Sequence, residues 1–450
     1  MKSIYSSSPK THTLRPPDLY EYSIDNYWFK AAGLEDQKIN PPLRGSHNAD
    51  VVIIGGGFTG LSSAYNIHRK FPEKKIVLLE GACCGYGASG RNGGFCIATD
   101  LLHDYDIEDP QLLQDRIDVS FYGLKQIKQV IAKYGVDCDF RENGMLMVAF
   151  SENQARSLEK YNANIKSIGL ESTFLQGKEL EAEIKSPRVI AGRKVPHGAV
   201  LNPAKLARGM KRVVEKLGVE VRERTVVTRI TPGKVNLVDT ELGEIRAPTL
   251  VLGLNAYAHK LGLFKNRIIP VCTFIIATEP LSPAQWDSIG WKNRQGLSDD
   301  RVAFNYSVPT VDGRIVMGGS DFVYYTKDSL SSGNDKTITR RIEKDLFTTF
   351  PQLEGLKIEH AWGGTTALTV DRSPSVGVLG GHENIYYGGG YEEGVPSAQT
   401  AGRIIAELMA GESNKFTNHY IVNRKIPYAG PVSMRGFFIS AYRWLLSWYD

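Results

Sequence analysis

The chain has 450 residues, is 42% hydrophobic, and carries 54 basic against 49 acidic residues, a formal net charge of +5. That length supports more than one core, and a charge excess so small and diffuse, without a long run of like charge, argues against a nucleic-acid surface. Five cysteines (Cys83, Cys84, Cys96, Cys138 and Cys272) with no C-x-x-C among them fit buried thiols in a reduced, cytoplasmic compartment; no apolar run reaches membrane-spanning length, and the N-terminal residues lack the apolar core of a signal peptide.

Residues 1–48 are polar, contain Pro16, Pro17, Pro41 and Pro42, and read as an extended arm whose one apolar knot, Tyr27-Trp28-Phe29, pins it to the surface of the body. The next stretch organises everything after it. Val51, Val52, Ile53 and Ile54 form the apolar, β-branched run of a strand buried on both faces of a parallel sheet. It passes into a helix over residues 59–69 through Gly55, Gly57, Phe58, Thr59 and Gly60. Gly55 allows a tight turn, Gly57 lets the backbone approach a pyrophosphate, and Gly60 lets the helix pack on the strand, with its free N–H groups and positive dipole end facing the phosphate. A second strand over residues 76–79 ends in Glu80, twenty residues after Gly60, where a carboxylate accepts hydrogen bonds from ribose hydroxyls. An acidic residue there disfavours a 2′-phosphate and leaves FAD or NAD.

Residues 81–94 hold six glycines in fourteen positions, a composition that neither helix nor strand favours. It suits a loop whose backbone runs against a flat cofactor through Gly87, Ala88, Gly93 and Gly94, with Ser89, Arg91 and Asn92 supplying hydrogen bonds. The segments GGGFTGLSSAY and GASGRNGG, with the acidic strand end between them, resemble the FAD-dependent D-amino-acid oxidase, glycine oxidase and sarcosine oxidase superfamily, and within it the gamma-glutamylputrescine oxidoreductase branch. The resemblance runs from about residue 27 to the C-terminus. It implies that the loop lies along the isoalloxazine and pyrophosphate, that the backbone of Val227 meets the adenine, and that a strand over residues 250–256 returns to the cofactor at Gly253. The expected fold is α/β, α+β overall: a Rossmann-type FAD-binding domain assembled from separated segments, plus an antiparallel-sheet substrate domain.

Further along, apolar residues at Leu113, Ile117, Phe121, Leu124, Ile127 and Ile131 mark a helix over residues 111–133. A strand over 144–150, a helix over 155–168, and a helix to about 217 opened by Asn202-Pro203 follow. Two short strands over 219–230 lead into a hairpin over 234–246. Residues 268–278, 301–306 and 314–319 read as strands of an antiparallel sheet, and 337–350 as a helix. A second strand-to-helix junction comes at Gly390-Tyr391-Glu392-Glu393-Gly394-Val395, with a helix over 398–410. By resemblance that helix points at the flavin pyrimidine end, with Gly390, Gly394 and Val395 against the cofactor. The segments divide into the arm (1–48), the FAD-binding domain (49–100, 190–260 and 361–430), the substrate domain (101–189 and 261–360) and a C-terminal amphipathic helix (431–450).

The resemblance implies oxidation of a primary or secondary amine or amino acid to an imine by hydride transfer to flavin N5, with oxygen or another acceptor taking the electrons. Tyr306 and Tyr391 are the candidate pocket walls. Glu392 and Glu393, standing where relatives carry a G-x-S-G-H-G type sequence, are the candidate ligands of a substrate ammonium, the bland alternative being two solvated carboxylates at a helix N-terminus. Ser307 replaces an arginine, Val316 or a neighbour replaces an oxygen-activating lysine, and the cysteine or histidine of covalent relatives is missing, so noncovalent FAD is expected. No H-E-x-x-H or G-x-S-x-G is present, and no metal is expected. The rival readings are a flavin aromatic hydroxylase, a flavoprotein with a binding role, and a quinone-linked dehydrogenase at a membrane surface. The last turns on residues 434–450, where Phe438, Tyr442, Leu445 and Trp448 fall at helical spacing with Arg435 and Arg443 among them; docking on the protein's own body or a second subunit is the expectation. The oligomeric state stays open.

Overall fold

The computed structural model describes residues 26–33, 39–98, 109–301, 303–324, 330, 334–391 and 394–446. Its organising sheet has six strands in the order Ser375–Leu379, Ile385–Gly389, Thr249–Leu252, Val51–Ile54, Ile76–Leu79, Glu220–Arg222. Val51–Ile54 lies at the centre, parallel to both neighbours, with Val51 opposite Ile76 on one side and Thr249 on the other. Successive side chains of a strand face opposite ways, and both faces are covered. Val51 and Ile53 enter a core with the helices Phe58–Lys70, Pro110–Tyr134, Pro203–Lys216 and Gly394–Met409, whereas Val52 and Ile54 enter a core with a four-stranded sheet. That smaller sheet, in the order Gly45–Asn48, Gly243–Ala247, Asn236–Thr240, Val227–Thr231, contains the expected hairpin.

The second large sheet has eight strands, in the order Ile358–Leu368, Ile269–Thr278, Ile315–Val323, Asn305–Pro309, Gly296–Asp299, Met145–Ala149, Ala191–Val195, Thr173–Leu175. It is antiparallel except where Gly296–Asp299 runs parallel to Met145–Ala149. Period-two alternation again assigns its faces: Phe274, Ile276, Ile315 and Met317 pack with the helices Pro283–Ile289 and Lys336–Thr349, while Ile275, Ala277, Val316 and Trp362 face Trp28, Phe29 and the glycine loop. The site lies along this second face.

Several expectations shift. Gly45–Asn48 adds a parallel strand beside Gly243–Ala247 instead of ending an extended arm. Tyr27–Ala31 is a short helix capped by Asn26, and Trp28, at 2% exposure, sits deep in the seam under the glycine loop rather than on the surface. Aromatic side chains bury more apolar area than any others, which drives that placement. The late helix begins at Gly394, not 398, because Pro396 is tolerated in a first turn. Ala191–Val195 and Ile358–Leu368 belong to the eight-stranded sheet, although the expected segments placed residues 190–195 and 361–368 on the cofactor side. All five cysteines are buried thiols, and burial pushes Cys83 up to about 12. The last helix, Val432–Leu446, is tied to the body by Arg435, a buried side chain whose Nη2 donates to Asn266 Oδ1 at 3.2 Å. Phe437 on the same helix is 72% exposed. The side chains of Phe438, Tyr442, Leu445 and Trp448 lie outside the described residues, and among the described residues no helix is long and apolar enough to cross a membrane.

Candidate cofactor and active site

The first glycine junction is held by close backbone approaches. Gly55 has φ +106°, and a Cβ there would lie 2.6 Å from the carbonyl oxygen of Gly253. Gly253 in turn donates its N–H to Ile54 O at 2.9 Å, so the end of the strand Thr249–Leu252 closes on the turn. A Cβ on Gly60 would collide with Gly55 O; this contact sets the helix down on the strand. The first-turn N–H groups of that helix have no partner within it. One of them, on Phe58, donates to Ser89 Oγ at 2.9 Å, and a Cβ on Gly57 would meet the same oxygen. The phosphate turn and the glycine loop are thus one unit.

Glu80 Oε2 accepts from Gly56 N–H at 2.6 Å and Oε1 from Ala82 N–H at 2.9 Å. Burial pushes its carboxyl up to about 7; those two N–H groups oppose the shift and the charge of Glu223 adds to it. Glu223 is fully buried. Its Oε1 accepts from Arg208 Nη1 at 2.6 Å and Cys84 N–H at 2.7 Å, and its Oε2 from Lys211 Nζ at 2.6 Å and Asn40 N–H at 2.8 Å. Burial acts to raise Glu223, and Lys211, Arg208 and the two N–H groups overcome it and hold the carboxylate below its ordinary range. Sequence reasoning missed this buried cluster, and no spacing announces it.

Side-chain hydrogen bonds hold the loop from Gly85 to Gly94 in shape. Asn92 Oδ1 accepts from Gly94 N–H at 2.9 Å and its amide donates to Ala88 O and Ser89 O at 3.1 Å. Arg91, 3% exposed, donates Nε to Tyr86 O at 2.8 Å and lies over the rings of Phe29 and Tyr86. Ser89 caps the helix. The three side chains expected to reach the cofactor therefore brace the loop itself, because a segment so rich in glycine has little intrinsic stiffness.

A continuous cavity of about 380 Å³ runs between the two junctions and the eight-stranded sheet. Of the expected residues it is lined by Gly55, Gly57, Phe58, Thr59, Glu80, Gly87, Ala88, Ser89, Arg91, Asn92, Gly93, Val227, Gly253, Tyr306, Tyr391, Gly394 and Val395. Gly60 and Gly94 sit behind its wall, Gly94 against Trp28 and the carbonyl of Leu201, and Gly390 packs near Thr369. Glu392 and Glu393 lie outside the described residues. Among the lining residues that sequence reasoning missed, the eight-stranded sheet and its connections supply Thr273, Phe304, Phe322, Thr366 and Arg372, and the segment after the central strand Thr249–Leu252 supplies Asn255.

Tyr306 stands on the strand Asn305–Pro309 with its ring against Gly93 and edge-to-face to Phe95 at 5.7 Å. Tyr391, at 4% exposure, accepts from Thr59 Oγ1 at 3.3 Å, joining the late junction to the early helix; burial holds its phenol well above the ordinary range. Gly390 N–H donates to Asn255 Oδ1 at 3.0 Å, and the helix Gly394–Met409 starts at the cavity wall, where Gly394, Val395 and Ala398 line it. Two helix N-termini, the partly buried carboxylate of Glu80 and glycine-lined walls between them fit an extended dinucleotide with a flat ring, which is the shape and chemistry of FAD.

The family described as DAO, FAD dependent oxidoreductase, matches residues 50–408. The chain is 33% identical over 385 residues to gamma-glutamylputrescine oxidoreductase of Escherichia coli, covering 83% of this chain and 86% of that protein. It is 30% identical over 411 residues to the probable oxidoreductase OrdL of Haemophilus influenzae, covering 88% and 91%. Glycine oxidase from Geobacillus kaustophilus has the same fold, with a TM-score of 0.71 at 19% identity over 82% of this chain and 96% of that one. The chain belongs to the DAO family of FAD-dependent oxidoreductases.

Proposed function

We propose that this enzyme oxidises a primary or secondary amine or amino acid to an imine, with FAD held noncovalently in the cavity. The observation that carries the reading is the continuity of that cavity from Val227, past Gly55, Gly57 and Glu80, to Tyr306 and Phe304 on the sheet. The first-turn N–H groups beyond Phe58, whose own N–H is held by Ser89, take the pyrophosphate. Glu80 takes the ribose, since each carboxylate oxygen keeps a second lone pair beyond its backbone partner. The backbone near Val227 takes the adenine, and the helix opening at Gly394 lends positive potential to the pyrimidine end. No cysteine or histidine is among the described lining residues, which supports a noncovalent site.

FAD, when bound, supplies the hydride acceptor for the carbon that bears the amine. The chain positions that carbon and keeps the region dry: Tyr306, Phe304, Phe322 and Tyr391 wall the cavity with apolar faces. Glu392 and Glu393 are the candidates for the substrate ammonium, because Tyr391 and Gly394 on either side of them line the cavity. The imine is hydrolysed by water to a carbonyl compound. Buried, unoxidised thiols accord with a cytoplasmic location.

Glycine, sarcosine, γ-glutamylputrescine and simple alkylamines form the test panel, each incubated with an artificial electron acceptor. An aldehyde or keto acid and the released amine are the expected products. Turnover that instead requires NADPH and inserts oxygen into an aromatic ring would replace this reading with the hydroxylase one.

A further inference from the structure

We propose that the hydroxyl of Ser298 anchors an uncharged carbonyl group, such as that of an amide, in the tail of the substrate, in the part of the cavity beyond Tyr306. The proposal rests on the amine-oxidising reading of the site and adds a residue and a chemical class to it. Ser298 is 2% exposed and lines the cavity, and among the described residues its Oγ has no hydrogen-bond partner. A hydroxyl buried without a partner is costly and uncommon in folded proteins. A ligand that supplies the partner removes that cost, so the orphaned hydroxyl marks where a polar group of the ligand belongs.

The sheet explains why the neighbouring side chains leave this hydroxyl alone. Ser298 stands directly opposite Tyr306 in the antiparallel pair, so the two side chains share the cavity face. Tyr306 leans the other way: a Cβ on Gly318, in the next strand, would lie 2.4 Å from its phenol oxygen. Two residues before Ser298 on the same face, a Cβ on Gly296 would lie 2.5 Å from the ring of Phe95, so the glycine makes room for the aromatic wall on that side. Ile97, Met145 and Phe304 add apolar surface. The adjacent carboxylate, Asp299, points to the opposite face, where Arg301 Nη2 donates to it at 2.7 Å and Asn305 N–H at 3.1 Å. The charged side chains among the described lining residues lie elsewhere: Glu80 in the early junction, Arg91 over the rings of Phe29 and Tyr86, and Arg372 after the strand Ile358–Leu368, which is four strands away in the sheet order. An ionised tail would be desolvated against these apolar walls, whereas an amide carbonyl that accepts from Ser298 needs no counter-charge.

The test uses holoenzyme of the wild type, Ser298→Ala and Ser298→Thr, with bound FAD per chain and the flavin spectrum before any addition as controls. Anaerobic flavin reduction is followed with N-acetylputrescine, with heptylamine, which replaces the amide by a plain chain of the same length, and with hexamethylenediamine, which places a charge in the tail. Binding of N-butylacetamide, which has no amine, is followed through the flavin spectrum. Ser298→Ala is expected to raise the half-saturating concentration of N-acetylputrescine about three- to tenfold relative to that of heptylamine, and to weaken N-butylacetamide by a similar factor. Ser298→Thr, which keeps the hydroxyl, is expected to hold the wild-type ratio of the two amines, and the diamine to need the highest concentration of the three. A ratio that Ser298→Ala leaves unchanged, tightest binding of the diamine, or no N-butylacetamide binding in the wild type would overturn the proposal. So would a flavin spectrum that shifts in Ser298→Ala before any addition, which would put the hydroxyl on the cofactor. If no amine reduces the wild type, the amine reading falls, and N-butylacetamide binding weakened in Ser298→Ala still supports the carbonyl site.

Discussion

Trp28 and Trp362 meet edge-to-face at 6.4 Å, and their indole N–H groups donate to successive carbonyls of the glycine loop, Trp28 to Asn92 O at 2.8 Å and Trp362 to Arg91 O at 2.9 Å. One tryptophan comes from the N-terminal segment and the other from the eight-stranded sheet, so the loop facing the cofactor is hung between two distant parts of the chain. Trp28→Phe keeps most of the ring and removes the hydrogen bond. It is expected to cost about 1 kcal/mol of stability and to weaken FAD binding by more than that loss transmits to a control position such as Trp286→Phe. Thermal melts and FAD titrations of both variants check this; equal FAD affinity in the two would remove the positioning role.

Glu80 links pH to both folding and cofactor binding. Burial lifts its carboxyl from 4.5 to about 7. Folding therefore favours the protonated form: the stability this group contributes is fully present below its unfolded value and is lost as pH rises through about 7. Ribose hydroxyls donate to the ionised form, so FAD affinity is expected to move the opposite way, rising with pH towards 7 and levelling above it. Glu80→Gln flattens both dependences. FAD titrations across that range in the two proteins provide the check, and an affinity that is flat in the wild type would remove Glu80 from the ribose.

The Glu223 cluster is structural. Glu223→Gln strands the buried cations Arg208 and Lys211, each 4% exposed, and a broken buried pair typically costs about 3–5 kcal/mol. Because Glu223 is held below its ordinary range, its contribution is present above that range and is lost as pH falls through the depressed value. Chemical denaturation at neutral pH measures the effect. A loss below about 1 kcal/mol would mean that water reaches the cluster once the carboxylate is neutralised.

How much of this was legible beforehand follows from whether a feature is local. The strand Val51–Ile54, its glycine turn, Glu80 and the late junction at Gly394 are contiguous stretches, since a phosphate seat needs a strand, a turn and a helix in direct succession. Arg372, Phe304, Phe322 and Asn255 were not legible as site residues, because long-range pairing between distant strands brings them to the cavity. The aromatic triplet at Tyr27 was visible as a packing knot, but nothing local says that Trp28 reaches Asn92. Ser89, Arg91 and Asn92 had the right residue types for cofactor contacts, and only the folded loop reveals that their hydrogen bonds brace the backbone.

Glu392 and Glu393 follow Tyr391 directly and precede Gly394, both cavity residues. If either carboxylate binds the substrate ammonium, its Gln variant is expected to raise the half-saturating amine concentration about tenfold or more while FAD content stays unchanged. Stopped-flow flavin reduction over a range of amine concentrations reads this out, and unchanged kinetics in both variants would assign the pair to solvent.

The most direct measurement is anaerobic reduction of the bound flavin by the amine panel with no nicotinamide present, on protein whose yellow colour is first shown to pass into the supernatant on acid precipitation. Released colour, and bleaching by at least one amine with NADPH ineffective, is the result expected here. Colour that stays with the pellet, or a flavin that ignores every amine and bleaches with NADPH, would contradict it.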